Sequence, residues 1–340
     1  MTTRRPTDKC LLCGVNDATQ KDSHIVPAFL LNSMIGKRYK EHSFSIDTST
    51  ATIDEYHGRD VSPTTEIKEH HHAVDFYLCP QCESKLGKLE SRLSEHITFK
   101  LRESKFSANY RTKSVGGLTF KELPKVNTDD FNVFFLSIIW RQAVQRKVED
   151  GLSILTGHDL EILRLIVNSY LSGDEITYQG VCGQFGLTIL TADSFGDATR
   201  NFVSALDDHE RPYIFLMNEF WVLAYSAQTF AESQKLSQPQ KFFDIPPFIE
   251  HLNYPGKTPN IVFLSQNLWT DTLTRWSEDV APNYAFNLNQ KILNANAAIT
   301  QGQLRSKRKS KAVKKRRKNA KKARKAARKA RKKNRRRNRK

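Results

Sequence analysis

The sequence predicts an α+β protein with a zinc-stapled N-terminal unit, a mixed helix and sheet second domain, and a disordered basic C-terminal tail. Three observations carry this. Two Cys-x-x-Cys pairs, Cys10-Leu-Leu-Cys13 and Cys79-Pro-Gln-Cys82, bracket the first unit. Apolar residues then recur at helical spacing before giving way, after Gly173, to runs of β-formers. Beyond residue 304 the chain becomes a Lys/Arg run with no acidic and no aromatic residue.

The 340 residues suffice for two domains with cores of their own, so a metal need not be the only source of stability. The formal net charge of +18 is misleading as a description of the body. Of 54 Lys and Arg, 24 lie in residues 305–340, leaving 30 against 36 Asp and Glu in residues 1–304, a net charge of −6. Any basic face on the body must therefore be local. The expected division is residues 1–100, 125–303 and 304–340. No apolar run reaches the roughly 18 residues of a membrane span, and the N-terminus lacks the apolar core of a signal peptide, so a cytoplasmic protein without membrane contact is expected.

Each Cys-x-x-Cys pair offers two thiolates from one tight turn, and two such pairs make a tetrahedral zinc site. In a reducing compartment this spacing implies metal before disulfide. With four protein ligands, Cys10, Cys13, Cys79 and Cys82, the zinc has no open position and its role is structural. Cys182 stands alone and reads as a buried structural thiol.

Between the pairs, Ser23-His24-Ile25-Val26-Pro27 reads as a short extended piece ended by proline, and 28–35 as the start of a helix. Residues 37–73 show no sustained period and read as a long loop holding a hairpin; His70-His71-His72 within it reads as solvated loop. After Cys82, Leu86, Leu89, Leu93 and Ile97 predict a helix. Glu83 and Glu90, seven apart, share a line at the edge of this leucine stripe, and Gly87 beside them would let another backbone approach. A polar stretch with Gly116-Gly117 reads as a separator. The helix from Asp129 to Val148 is apolar nearly all round, which predicts the buried centre of the second domain, with Arg141 as a structural ion-pair partner. An amphipathic helix over 160–171 follows, then strands from Ile176 onward: 187–191, 213–217, 220–225 and 261–264.

The order Cys-x-x-Cys, His-Ile-Val-Pro, then a second Cys-x-x-Cys opening a helix resembles the zinc-stapled HNH endonucleases, whose ββα-metal unit is a treble-clef finger. The resemblance covers residues 10 to about 97. It implies that His24 is the general base, that the helix after Cys82 contributes metal-side residues, and that the substrate is a phosphodiester of DNA or RNA; on chemical grounds Glu83 or Glu90 is the carboxylate expected to hold a catalytic Mg²⁺ or Mn²⁺. The chain departs from the family at Ser23, where an acidic residue is usual, at Asp75 near the place of an asparagine, and at Glu83 after the last cysteine. The alternative is a nonenzymatic nucleic-acid-binding or adaptor protein in which His24 is a core histidine. In either case the tail is expected to hold nucleic acid through backbone phosphates, because it has cations and no aromatic residue.

Overall fold

The structure, a computed structural model, describes residues 4–21, 23–27, 29–30, 73–115, 118–149, 151–193, 212–217, 219–227, 251–269, 271–272 and 275, together with the backbone of strands at 43–47, 52–56 and 203–205. Residues Met1–Leu288 form one compact unit. The basic tail, most of the expected helix at 28–35 and the three histidines at 70–72 lie outside the described residues.

In chain order, β1 (Ser23–His24) pairs antiparallel with β4 (Ala73–Val74), and β2 (Ser43–Asp47) with β3 (Thr52–Tyr56), which is the hairpin expected inside the long loop. Helix α1 (Pro80–Ser94) buries Cys82, Leu86, Leu89 and Leu93, the stripe read from the sequence. Pro80 opens it, where a missing N–H costs nothing. Among the described residues no atom outside its own helix lies within 4 Å of where a Gly87 side chain would begin, so none of them makes the close backbone approach expected there.

Helix α2 (Thr128–Glu149) is the centre of the fold. Asn127 Oδ1 accepts from the Asp130 N–H at 2.9 Å, and Asp129 and Asp130 in the first turn suit the positive end of the helix dipole. Every residue from Asp130 to Val144 is buried, because α1 and α3 cover one side and the sheet another. Phe131, Phe134 and Phe135 pack edge to face at 5.0–5.1 Å, and Phe135 meets Phe220 of the sheet at 5.8 Å. Helix α3 (Gly157–Ser172) starts at Thr156, whose hydroxyl accepts from the Asp159 N–H, and stops at Gly173, whose φ of 77° is the left-handed conformation that glycine adopts freely.

The strands expected from Ile176 begin later. Asp174 accepts from the Thr177 N–H and caps a short helix, α4 (Glu175–Val181), so a local cap overrides the β-propensity of Ile176 and Thr177. The sheet itself has seven strands in the order β5-β6-β11-β7-β10-β9-β8: β5 (Arg111–Val115), β6 (Leu118–Glu122), β7 (Phe185–Ala192), β8 (Val203–Ala205), β9 (Tyr213–Met217), β10 (Phe220–Ser226) and β11 (Asn260–Leu264). Among the described strands only the β11–β7 pair is parallel. β9 and β10 form the expected hairpin, with Phe220 opposite Met217. The stretch read as a separator is instead the β5–β6 hairpin at the sheet edge. Its polar, two-sided exposure hides the alternation by which a half-buried strand is recognised.

One hydrophobic core runs from Cys10 and Leu12 through α1 and α2 to Phe263. Cys182 is buried, as expected. No helix among the described residues is long and apolar enough to cross a membrane.

Candidate functional site

The four cysteines meet although 65 residues separate the two pairs. The first pair lies in a turn in which the Gly14 N–H donates to the Cys10 carbonyl at 2.8 Å, and a positive φ at Gly14 reverses the chain. The second pair opens α1, with Cys79 just before its first turn. Backbone bonds hold the two segments together: Leu11 N–H to Tyr77 O at 2.9 Å, Gln20 N–H to Leu78 O at 3.2 Å and Phe76 N–H to Gln20 O at 2.9 Å.

All four Sγ atoms lie within 4.8 Å of one another, and none is in a disulfide. Cys13 and Cys79 sulfurs are 3.9 Å apart. A tetrahedral zinc with Zn–S bonds of about 2.3 Å requires sulfurs roughly 3.8 Å apart, so the donor set and its size both fit. Cys10, Cys79 and Cys82 are buried. The Cys82 thiol shares its proton with Cys10, which holds Cys10 down at about 4 and pushes Cys82 well above its usual range. Burial raises Cys79. Four sulfurs this close ionise together only around a cation, so binding a metal would release protons.

Two residues outside the pairs support the cluster. Asn16 Nδ2 approaches Cys79 Sγ at 3.8 Å, and Arg164 of α3 donates to the Leu12 carbonyl at 2.8 Å, inside the first turn. The guanidinium also lies in the field of the Cys13 sulfur. Such outer contacts orient ligands and offset their charge. Arg164 had no sequence signal, being 152 positions from Leu12. Asn16 lies in the turn that follows the first pair.

Beside this cluster, β1 and α1 meet over α2. Arg141, whose side chain is 4% exposed, connects them: Nη1 donates to the His24 carbonyl at 2.8 Å and lies 2.8 Å from Glu90 Oε1. Its Nε donates to the Ser137 carbonyl at 3.2 Å. The Glu90 contact is an ion pair without a hydrogen bond, since that oxygen meets no donor at hydrogen-bonding geometry. Glu83 is pushed above the usual carboxylate range, by burial first and by Glu90 to a lesser degree, while Arg141 and the Ser23 hydroxyl oppose the rise. Ser23 Oγ and Glu83 Oε2 are buried with no partner at hydrogen-bonding geometry.

His24 is half-buried on β1 opposite Ala73, at the edge of a void of about 10 Å³ that it shares with Ser23 and Arg141. That space holds one water at most. Arg141 thus touches the His24 backbone carbonyl and Glu90, and lies in the field of Glu83. Asp75 is exposed. Comparison with family models, curated proteins and solved structures finds no match.

Proposed function

We propose that the N-terminal region is an HNH-like treble-clef module stapled by zinc, and that the protein is a metal-dependent endonuclease held on DNA or RNA by its basic tail. The supporting observation is the joining of β1 and α1 through Arg141, which binds the His24 backbone carbonyl and the Glu90 carboxylate and lies in the field of Glu83, the residue after Cys82. In this reading Cys10, Cys13, Cys79 and Cys82 hold a structural Zn²⁺. His24 accepts the proton of an attacking water, as a neutral imidazole does near pH 7. Glu83, with one buried oxygen free of hydrogen bonds, is the carboxylate suited to hold Mg²⁺ or Mn²⁺, which would stabilise charge on the leaving oxygen. Glu90 is occupied by Arg141 and acts through it as a positioning residue. The tail concentrates the module on its substrate through phosphate contacts.

The Arg141–Glu90 pair also favours a second reading. A guanidinium already supplies a cation to the carboxylates, so the module can be a nonenzymatic scaffold of a nucleic-acid-binding or adaptor protein. Incubation with plasmid and structured RNA, with Mg²⁺ or Mn²⁺, separates the two. Cleavage by the wild type should fall by roughly 10²- to 10⁴-fold in His24→Ala, with metal content unchanged. Absence of cleavage by the wild type under either cation supports the scaffold; full activity in His24→Ala removes the histidine from the mechanism.

A further inference from the structure

Although the body is acidic as a whole, one part of it is not. Residues 95–125 hold seven Lys and Arg (Lys100, Arg102, Lys105, Arg111, Lys113, Lys121 and Lys125) against three acidic residues, Glu95, Glu103 and Glu122. By the hairpin register Arg111 and Lys113 lie on one side of the sheet and Lys121 on the other, and Arg102 turns inward to Glu219 and the Ala192 carbonyl, so the solvent-facing set is Lys105, Arg111, Lys113 and Lys125 on the edge hairpin and the turn beside it. The 3-10 turn at Ser104–Asn109 carries Lys105, the edge strand β5 carries Arg111 and Lys113, and Lys125 lies just past β6, where its amine donates to Asn109 Oδ1 at 2.8 Å. Lys121, on β6, donates to the Leu101 carbonyl and sits over the Tyr110 ring at 5.8 Å, which ties the turn region to the hairpin.

We infer that this β5–β6 edge, with the turn before it, is a binding surface for the phosphate backbone of nucleic acid, separate from the tail; the inference rests on the reading that the substrate is nucleic acid. Four cations, Lys105, Arg111, Lys113 and Lys125, are exposed. Arg111 lies cross-strand from Glu122 without forming an ion pair, and Lys125 forms none among the described residues. Lys113 pairs with Glu122 and Lys105 with Glu103, both at 2.5 Å on the surface. Such pairs are worth about 0–1 kcal/mol, so a phosphate competes with them readily. All four side chains from Arg111 to Ser114 are exposed, so both faces of the strand are open.

The described rings of the turn, Phe106 and Tyr110, already have lysines over them. Lys105 and Lys100 lie over Phe106 at 4.8 and 5.8 Å, and the Tyr110 hydroxyl donates to the His96 carbonyl at 2.7 Å. Contact is therefore with phosphates and not by base stacking, and it carries no sequence preference. Edge-strand lysines also repel other strands, but Lys105 and Lys125 lie off the strand, where that role is not needed.

The test is amine acetylation of the full-length protein, read by peptide mass, with and without a short DNA duplex or a structured RNA and no added divalent cation. Lys105, Lys113 and Lys125 should be labelled several-fold more slowly when either nucleic acid is bound, while Lys85 and Lys147 are unaffected. A second measurement uses Lys105→Gln/Arg111→Gln/Lys113→Gln/Lys125→Gln. On duplex DNA, losing four phosphate contacts should flatten the slope of log K against log salt by about 3.6. A control with the same charge change, Lys9→Gln/Lys21→Gln/Lys85→Gln/Lys147→Gln, should flatten it less. Unchanged labelling of the three lysines, protection by polyglutamate but by neither nucleic acid, or equal slopes for the two variants would overturn the inference. Protection without cleavage in the earlier assay leaves the surface standing and removes the nuclease; cleavage without protection removes the surface alone.

Discussion

The cysteine corner and the helix-on-sheet region share one core and close it by different means. Around the cysteines the regular elements are short: β1 and β4 have two residues each, and the buried side chains are mainly Leu, Ile and Val from α1 and the adjoining turns. The strand pair adds only a few backbone bonds. Across α2 and the sheet, Phe131, Phe134, Phe135, Phe215, Phe220 and Trp221 are fully buried, and β10 is buried along its whole length. A fully buried large side chain contributes about 1.5–3 kcal/mol, so the sheet region can stand on burial. The corner also buries apolar side chains, but on short elements, and in the proposed reading a metal held by the four cysteines adds to that burial.

The largest expected effect comes from breaking the corner. Cys79→Ser should abolish metal binding, for which structural zinc sites contribute on the order of 10 kcal/mol, and limited proteolysis should then cut between residues 10 and 97 while the sheet region persists. Equal protease resistance of Cys79→Ser and wild type would show that burial suffices in both regions. On the other side of the comparison, Phe135→Ala should cost about 3–5 kcal/mol by denaturant unfolding, with metal content at 25 °C unchanged. Loss of metal in that variant would mean that the corner depends on the sheet.

Arg141 joins the two regions. Arg141→Met leaves Glu90 and Glu83 without their cation and should destabilise by about 3–5 kcal/mol, and adding Glu90→Gln should recover part of the loss. No recovery in the double variant would show that the hydrogen bond to the His24 carbonyl, and not the charge pair, is what matters. The smallest effect concerns the surface pair of α3. Arg164 holds Glu161 below the usual carboxylate range through hydrogen bonds of 2.6 and 2.8 Å. Its contribution is present above that range and lost as pH falls through the lowered value of the folded state. Because Glu161 is 54% exposed, Glu161→Gln should change stability at neutral pH by less than about 1 kcal/mol.

Much of this architecture could be read from the residues. The leucine stripe of α1, the all-round apolar α2, the glycine stop of α3 and the strands at 187–191, 213–217, 220–225 and 261–264 follow from periodicity and composition, which report burial directly. The meeting of Cys10, Cys13, Cys79 and Cys82 followed from ligand chemistry. What escaped was decided by local polar chemistry or by contacts remote in sequence. Asp174 turned a β-rich stretch into α4; the β5–β6 hairpin carries no one-sided pattern; Arg164 reaches the first turn from 152 positions away. At the candidate site, His24, Glu83 and Glu90 were visible as residue types on suitable elements. That Arg141 lies among them required the packing of α1 on α2.

The central claim is that one region of this body is held by a metal and the other by burial, and metal analysis of the wild-type protein purified without chelator tests it most directly. The account predicts one zinc per chain, with the four thiols of Cys10, Cys13, Cys79 and Cys82 protected until a chelator releases the metal. Protein free of zinc, with those four thiols freely titratable in the folded state, would contradict it.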